Sequence, residues 1–325
     1  MSATPLTELL AALRAGRGFA HKRDIAAVLP HLGATLAPGA AVPNGDDCAV
    51  LPEPGGTGHL LFAIEGLMPD FVAASPWFAG YSGVLVNLSD IAAMGGRPLA
   101  VVDALWSPEA GHAAALLAGL RAAAERYGVP LVGGHTNLHA ANAQLAVAVL
   151  GHARRLISSF AARPGDRLLM AVDLRGRWQG DAPFWNASTE APSERLRADL
   201  ALLPALAEDG LVDAGKDISM AGVLGTLLML LECSGAGARV ALDRMPMPPG
   251  AEPLRWLQAF PSFGYLLAVR PALAESVLAH FAARDIACAD IGAVEAGTRL
   301  LVERGGETAE LWDLAAEPFI GAGHG

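Results

Sequence analysis

The chain has 325 residues, of which 53% are hydrophobic and 17% charged, and its formal net charge is −10. This composition excludes a disordered or fibrous protein and provides enough apolar residues for two domains of about 150 residues each. It also argues against a sequence-independent nucleic-acid surface, because such a surface needs clustered lysines and arginines.

Three widely spaced cysteines show neither a CxxC pattern nor the spacing of a zinc site. We expect them to be small buried residues in a reducing cytosol. The N-terminus lacks the basic start and apolar run of a signal peptide, and the longest apolar run, Met220 to Leu231, is too short to cross a bilayer. The sequence therefore predicts a cytoplasmic protein without a membrane span.

The N-terminal region predicts a helix over Leu6 to Leu13, followed by the most basic patch of the chain, from Gly16 to Asp24. Two interpretations of this patch remain open. It is either the solvated start of a helix at Asp24, or a mobile arm flanked by glycines. In the second case Lys22 or Arg23 would close over an anionic substrate.

An acidic turn follows, in which Asp46 and Asp47 precede a short predicted strand that ends at Leu51. Adjacent carboxylates at the start of a strand repel each other, and a metal ion would remove that conflict. The alternative is a turn in which both side chains face water. The next predicted strand, His59 to Glu65, also ends on a carboxylate, at the kind of strand end where α/β sites gather.

The most informative stretch is a long apolar helix between Ser75 and Gly96. Ser75-Pro76 is typical of a helix start and Gly95-Gly96 of a left-handed end. Helical spacing places Asn87 and Asp90 on one face, and Asp90 lies near the C-terminus, where the helix dipole disfavours a carboxylate by about 0.3–1 kcal/mol. A bound cation is therefore a candidate partner for Asp90.

A strand is predicted over Leu99 to Trp106, a helix from Ser107-Pro108 to Tyr127-Gly128, and strands over Val129 to Gly133 and Gln144 to Leu150. Gly133, the last residue of the strand that begins at Val129, opens a predicted loop that also contains Gly134, His135 and Thr136. Backbone amides of glycines in a loop, which are not used in helix or sheet hydrogen bonds, can bind phosphate oxygens. His135 is a metal ligand, a polar contact or an ordinary loop histidine.

The turn Arg163 to Asp166 marks the predicted boundary between domains 1–160 and 161–325. In the second half, the loop from Arg175 to Asn186 mixes arginines with aromatic residues, so it forms a ligand surface or packs its own tryptophans. Lys216 to Ser219 is predicted to begin the helix Met220 to Cys233, where Asp217 would cap the helix or bind a metal. Alternating strands and helices then indicate an α+β half.

No Walker A, GxGxxG, GxSxG or HExxH pattern is present in the chain. Phosphate binding, if present, must therefore use metal ions and carboxylates.

Five motifs in one order, NGDDCAVL, FAIEG, NLSDIAAMGGRP, LVGGHTN and DISMAGVLGTLLMLLECSG, resemble the PurM-like superfamily. That superfamily includes AIR synthase, thiamine-monophosphate kinase, selenophosphate synthetase and the hydrogenase-maturation dehydratase. The resemblance implies an N-terminal α/β domain that dimerises through its strands, a C-terminal α+β domain, and bound Mg²⁺ and ATP.

The resemblance also assigns expected roles to single residues. Asp46 or Asp47, Asp90 and Asp217 match family metal-binding aspartates, and Glu65 stands where the family usually has Asp. Asn87, Gly133, Gly134 and Thr136 would border the nucleotide. The thiamine-monophosphate kinases carry Asp at the positions of His135 and Met220, whereas GGHT is more similar to the selenophosphate synthetases. Those synthetases would have a cysteine near Lys22, and this chain has none there.

The sequence hypothesis is an enzyme dependent on ATP and Mg²⁺ that phosphorylates or activates a small oxygen-bearing substrate. Lys22, Arg23 and His135 are its candidate catalytic residues, and a homodimer is expected. One alternative is a divergent thiamine-monophosphate kinase. Another is a nucleotide-binding scaffold that has lost turnover and acts through a partner enzyme.

Overall fold

A computed structural model describes residues 4–32 and 42–322. The chain forms two compact units that interleave in sequence. The first contains the described residues up to Asp46, Ile157–Ser188 and the described residues from Asp209 onward; the second contains Asp47–Leu156 and Thr189–Glu208. The chain passes from the second unit to the first after Leu156 and returns to the second unit for residues 189–208. The N-terminal helices belong with the C-terminal half of the chain.

The second unit is built on a five-stranded sheet with the order β1-β2-β5-β3-β4. Its strands are β1 Ala49–Pro52, β2 His59–Gly66, β3 Arg97–Trp106, β4 Leu131–Asn137 and β5 Gln144–Ala153. Its helices are α3 Pro69–Ala74, α4 Pro76–Ala93, α5 Ala110–Tyr127, α6 Ser193–Leu200 and α7 Leu202–Glu208. Only β3 and β4 pair in parallel, and the other neighbouring strands are antiparallel.

Helices α4 and α5 approach each other at two glycines. A Cβ atom on Gly119 would overlap the carbonyl oxygen of Trp77, and one on Gly80 would overlap that of Leu116. Because glycine has no side chain, the two backbones can lie at this separation. This contact and the sheet hold α4, which carries Asn87 and Asp90, in a buried position.

The first unit contains a seven-stranded sheet, β15-β14-β10-β13-β6-β12-β9, and a small sheet, β11-β8-β7. The strands of the large sheet are β6 Arg167–Val172, β9 Ala214–Asp217, β10 Gly237–Ala241, β12 Gly264–Val269, β13 Ala287–Glu295, β14 Arg299–Arg304 and β15 Glu307–Asp313. The small sheet contains β7 Arg177–Trp178, β8 Phe184–Asn186 and β11 Phe260–Pro261. The helices are α1 Leu6–Arg14, α2 Arg17–Leu32, α8 Gly222–Ser234, α9 Pro253–Leu257 and α10 Ala274–Ala282.

The predicted helix at Leu6 to Leu13 is confirmed, and its leucines join the core of the first unit. The basic patch behind it forms helix α2, so it is not a loop arm, and the helix begins at Arg17 rather than at Asp24. Glycine at position 18 lets this helix lie close to Met220, because a Cβ atom there would overlap the carbonyl oxygen of Met220.

The aromatic loop from Arg175 to Asn186 packs its tryptophans within the first unit. Trp185 is buried, its ring lies 5.4 Å from that of Trp178 and 5.6 Å from that of Trp256, and Arg255 stacks over Trp178 at 4.0 Å. These contacts favour the packing interpretation over a ligand surface. Within the described part of the chain, no helix is long and apolar enough to cross a membrane.

Candidate metal and nucleotide site

Helix α4 places Asp90 at a buried position on its last turn. The helix begins with Pro76 and ends before Gly95, whose φ of 74° is left-handed, as the sequence predicts. Asp90 is 7% exposed. Because the helix dipole is negative at this end and the side chain is buried, a nearby positive charge would stabilise the ionised carboxylate.

The structure separates the roles of the two adjacent aspartates of the acidic turn. A carboxylate oxygen of Asp47 lies within 4.8 Å of one of Asp90. The carboxylate of Asp46 instead accepts hydrogen bonds from Ser158 and Ser159. The sequence left open which aspartate is the metal ligand, and this geometry favours Asp47.

Asn87 lies one turn before Asp90 and is fully buried. Its Nδ2 donates a hydrogen bond to the Gly83 carbonyl oxygen at 2.7 Å, so its Oδ1 points away from that carbonyl. Within the described residues, this buried Oδ1 accepts no hydrogen bond. An amide oxygen one helical turn from the Asp90 carboxylate is the kind of hard oxygen ligand that Mg²⁺ binds.

The other two predicted metal ligands, Asp217 and Glu65, lie at or near the ends of strands. Asp217 is the last residue of β9 and is 4% exposed. The prediction that it begins a helix was wrong, because Ile218 continues the sheet by donating to the Gly264 carbonyl oxygen and α8 begins only at Gly222. Glu65 lies near the end of β2, opposite Val147 of β5.

The glycine pair and the residues after it do not form the predicted loop. Gly133, Gly134, His135 and Thr136 are exposed residues of β4, which continues to Asn137 as an edge strand beside β3. Their amides therefore belong to an extended segment rather than to a glycine loop. The His135 ring lies 6.0 Å from that of Trp106.

Asp103 on β3 is a carboxylate that sequence reasoning missed. It pairs with Gly134, and a Cβ atom on that glycine would overlap the carboxylate of Asp103. Burial raises the pKa of the Asp103 carboxyl. The sequence does contain a feature that could have identified Asp103: it is a carboxylate within a predicted apolar strand, and the next predicted strand ends at a pair of glycines.

The two candidate cationic residues differ in their surroundings. Arg23 of α2 forms an ion pair with Glu317, and its guanidinium lies 5.7 Å from the centre of the Trp312 ring. Lys22 precedes it on the same helix and is half-buried. The contacts of Arg23 favour a structural role, and Lys22 is the better candidate for contacting an anion.

Known proteins match the chain over both halves. A family model described as AIR synthase related protein, N-terminal domain, matches residues 45–153, and the model for the C-terminal domain of the same family matches residues 164–304. An uncharacterised protein of Synechocystis sp. is 45% identical over 318 residues, which cover 97% of this chain and 98% of that protein.

Two further matches have names that state a function or a bound ligand. The thiamine-monophosphate kinase of Methanospirillum hungatei is 32% identical over 216 residues, covering 64% of this chain and 72% of the kinase. The structure of Thermotoga maritima PurL complexed with ATP matches with a TM-score of 0.74 and 22% identity, over 98% of this chain and 53% of the PurL chain. The chain thus spans about half the length of PurL, and this likeness concerns the fold.

These matches confirm the mixed α/β fold and the resemblance inferred from the five motifs. The chain therefore belongs to the AIR synthase related protein family, within the PurM-like superfamily.

Proposed function

We propose that the protein is an enzyme dependent on ATP and Mg²⁺ that transfers a phosphoryl group to a small oxygen-bearing metabolite, or activates that metabolite through a phosphorylated intermediate. The observation that carries the proposal is the placement of the Asp47 and Asp90 carboxylates within 4.8 Å of each other. Membership in a family with a thiamine-monophosphate kinase among its relatives supports the reaction class.

In this proposal Asp47 and Asp90 hold Mg²⁺ together with the Oδ1 of Asn87, and Asp217 and Glu65 are further ligands assigned by the family resemblance. When bound, Mg²⁺ neutralises charge on the phosphates during transfer. Because phosphoryl transfer depends mostly on positioning and electrostatics, the remaining residues serve to orient ATP.

Lys22 contacts an anionic group of the substrates, with Arg23 as the alternative cation. Gly133, Gly134 and Thr136 border the nucleotide through the exposed backbone of β4, and His135 donates a hydrogen bond to a substrate oxygen. A cytoplasmic protein with small-molecule substrates fits the composition, whose net charge of −10 does not favour nucleic acid.

We also propose a homodimer. One face of the five-stranded sheet carries large exposed apolar side chains, among them Phe62 at 50%, Ile64 at 65% and Val132 at 63% exposure. An apolar patch of this kind is unusual on the surface of a monomer. A second copy of the same sheet would cover it, as the family resemblance implies.

A divergent thiamine-monophosphate kinase is the second candidate, and the 32% identity to the Methanospirillum hungatei kinase favours it. His135 and Met220 replace the two aspartates of those kinases, which speaks against it. Incubation with ATP, Mg²⁺ and thiamine monophosphate separates the candidates, since thiamine diphosphate would form only under the second. A scaffold without turnover would bind ATP but show no hydrolysis stimulated by any candidate substrate.

Calorimetry with a nonhydrolysable ATP analogue tests the main proposal. The wild type should bind the analogue with Mg²⁺ and lose most of that affinity in EDTA. Asp90→Asn should bind at least tenfold more weakly in Mg²⁺, because it loses a charged ligand. Glu125→Gln, an exposed carboxylate on α5, is the matched control and should bind like the wild type. Equal affinity of Asp90→Asn and the wild type would exclude Asp90 as a ligand.

A further inference from the structure

The carboxylate of Asp46 is held by two consecutive serines. Its Oδ2 accepts hydrogen bonds from the Ser158 hydroxyl at 2.6 Å and from the Ser159 amide at 3.0 Å, and its Oδ1 accepts one from the Ser159 hydroxyl at 2.7 Å. A carboxylate has about four lone-pair positions. Three are used by these donors, so Asp46 has little capacity left for a metal ion.

The serines are themselves fixed in place. Ser159 is fully buried, and its carbonyl oxygen accepts a hydrogen bond of 2.6 Å from the Ser234 hydroxyl. Ser234 in turn accepts a hydrogen bond from the Ala162 amide at 3.1 Å. Because these hydrogen bonds already position the serine donors, the donors lose little entropy when they bind Asp46.

The same network reaches the strand that carries Asp217. The Ser159 hydroxyl lies 3.4 Å from the carbonyl oxygen of Gly215 in β9, two residues before Asp217. Next to Asp46, the Gly45 carbonyl oxygen accepts a weak hydrogen bond from the Cys233 thiol at 3.6 Å. The backbone on the N-terminal side of Asp47 is therefore held at both Gly45 and Asp46.

We propose that Asp46, Ser158 and Ser159 are positioning residues for the metal site, and that Asp46 is not itself a ligand. Asp47 follows Asp46 directly in the chain, so a fixed backbone at Asp46 restricts where the Asp47 carboxylate can lie. The proposal rests on the proposed function, because it assumes that Asp47 binds the metal. Partners that orient metal ligands typically change affinity by about 10–100-fold when they are removed.

The test measures Mn²⁺ binding by electron paramagnetic resonance, in the presence of a nonhydrolysable ATP analogue. Ser159→Ala should weaken Mn²⁺ binding by roughly tenfold or more. Ser159→Thr, which keeps the hydroxyl, should restore at least part of the affinity. Ser276→Ala, an exposed serine of α10, is the matched control and should bind like the wild type. Circular dichroism confirms that each variant is folded before binding is measured.

The paired variants Asp46→Asn and Asp47→Asn separate positioning from ligation. Asp46→Asn keeps one acceptor oxygen for the serines and should retain measurable Mn²⁺ affinity, whereas Asp47→Asn should lose it. Equal losses would contradict the division of roles. Wild-type affinity in Ser159→Ala would overturn the positioning role alone, with the proposed function intact. A wild type that fails to bind Mn²⁺ with the analogue would overturn both.

Discussion

Asp47 and Asp90 present carboxylate oxygens within 4.8 Å of each other. Two negative charges at this distance repel by on the order of 3 kcal/mol at an effective dielectric constant of about 20. A cation bound at this pair would offset the repulsion. Stability and metal binding should therefore be linked at this pair.

Thermal unfolding with and without Mg²⁺ measures that linkage. Mg²⁺ should raise the melting temperature of the wild type, because a ligand that binds only the folded state stabilises it. Asp90→Asn should remove this rise and, in EDTA, melt at a higher temperature than the wild type, since one of the repelling charges is gone. An unchanged Mg²⁺ effect in Asp90→Asn would contradict the linkage, and Glu125→Gln controls for an exposed charge.

Gly119→Ala tests the close approach of α4 and α5. The added methyl group would overlap the Trp77 carbonyl oxygen, so the helices must separate, and overpacking of this kind costs about 1–3 kcal/mol. Gly111→Ala lies on the same helix with no atom within 4 Å of its Cβ position. That control should be neutral or stabilising by up to about 1 kcal/mol, because alanine is the better helix former. Urea denaturation of both variants measures the difference.

Asp103→Asn should change how stability depends on pH. Burial raises the pKa of this carboxyl in the folded state, so the folded protein holds the proton more tightly than the unfolded chain. This contribution to stability is present at low pH and decreases as the pH rises from the unfolded pKa through the folded one. At neutral pH, Asp103→Asn should therefore be more stable than the wild type.

The comparison is made by urea denaturation at pH 4 and pH 7. Asp181→Asn, an exposed loop position, provides the control for the loss of an aspartate. If the stability of Asp103→Asn relative to the wild type is no greater at pH 7 than at pH 4, burial of the ionised carboxylate does not destabilise the fold.

The apolar sheet face predicts the oligomeric state. Ile64→Glu places a charge at a side chain that is 65% exposed on β2. In sedimentation equilibrium the wild type should behave as a dimer and Ile64→Glu as a monomer with an unchanged circular dichroism spectrum. Val28→Glu, at a position of 52% exposure on α2, is the control and should remain dimeric. A monomeric wild type would contradict the proposed dimer.

The part of the site that local sequence could predict is the end of α4. Pro76 and Gly95 define the helix, and its 3.6-residue period brings Asn87 and Asp90 to one face, so Asp90 is a candidate for binding a cation without tertiary information. The positions of β2 and α5 were also close to those that local sequence predicts.

The remainder depends on contacts between residues far apart in sequence. Asp46 and Asp47 are identical neighbours in sequence, and they are distinguished by tertiary contacts such as the hydrogen bonds that Ser158 and Ser159 donate to Asp46. The glycines at 133 and 134 predicted a loop, but pairing with β3 extends the strand through them, because tertiary pairing overrides local propensity. The start of helix α2 was also hard to predict from local sequence. Gly18 is required by its contact with Met220 rather than by a turn.

The most direct test of the account is a crystal structure with Mg²⁺ and a nonhydrolysable ATP analogue. A metal ion should be bonded to carboxylate oxygens of both Asp47 and Asp90 at about 2.0–2.1 Å, and to an oxygen of the analogue, with Asp46 still hydrogen-bonded to Ser158 and Ser159. An analogue bound elsewhere, or a metal ion that contacts neither Asp47 nor Asp90, would contradict it.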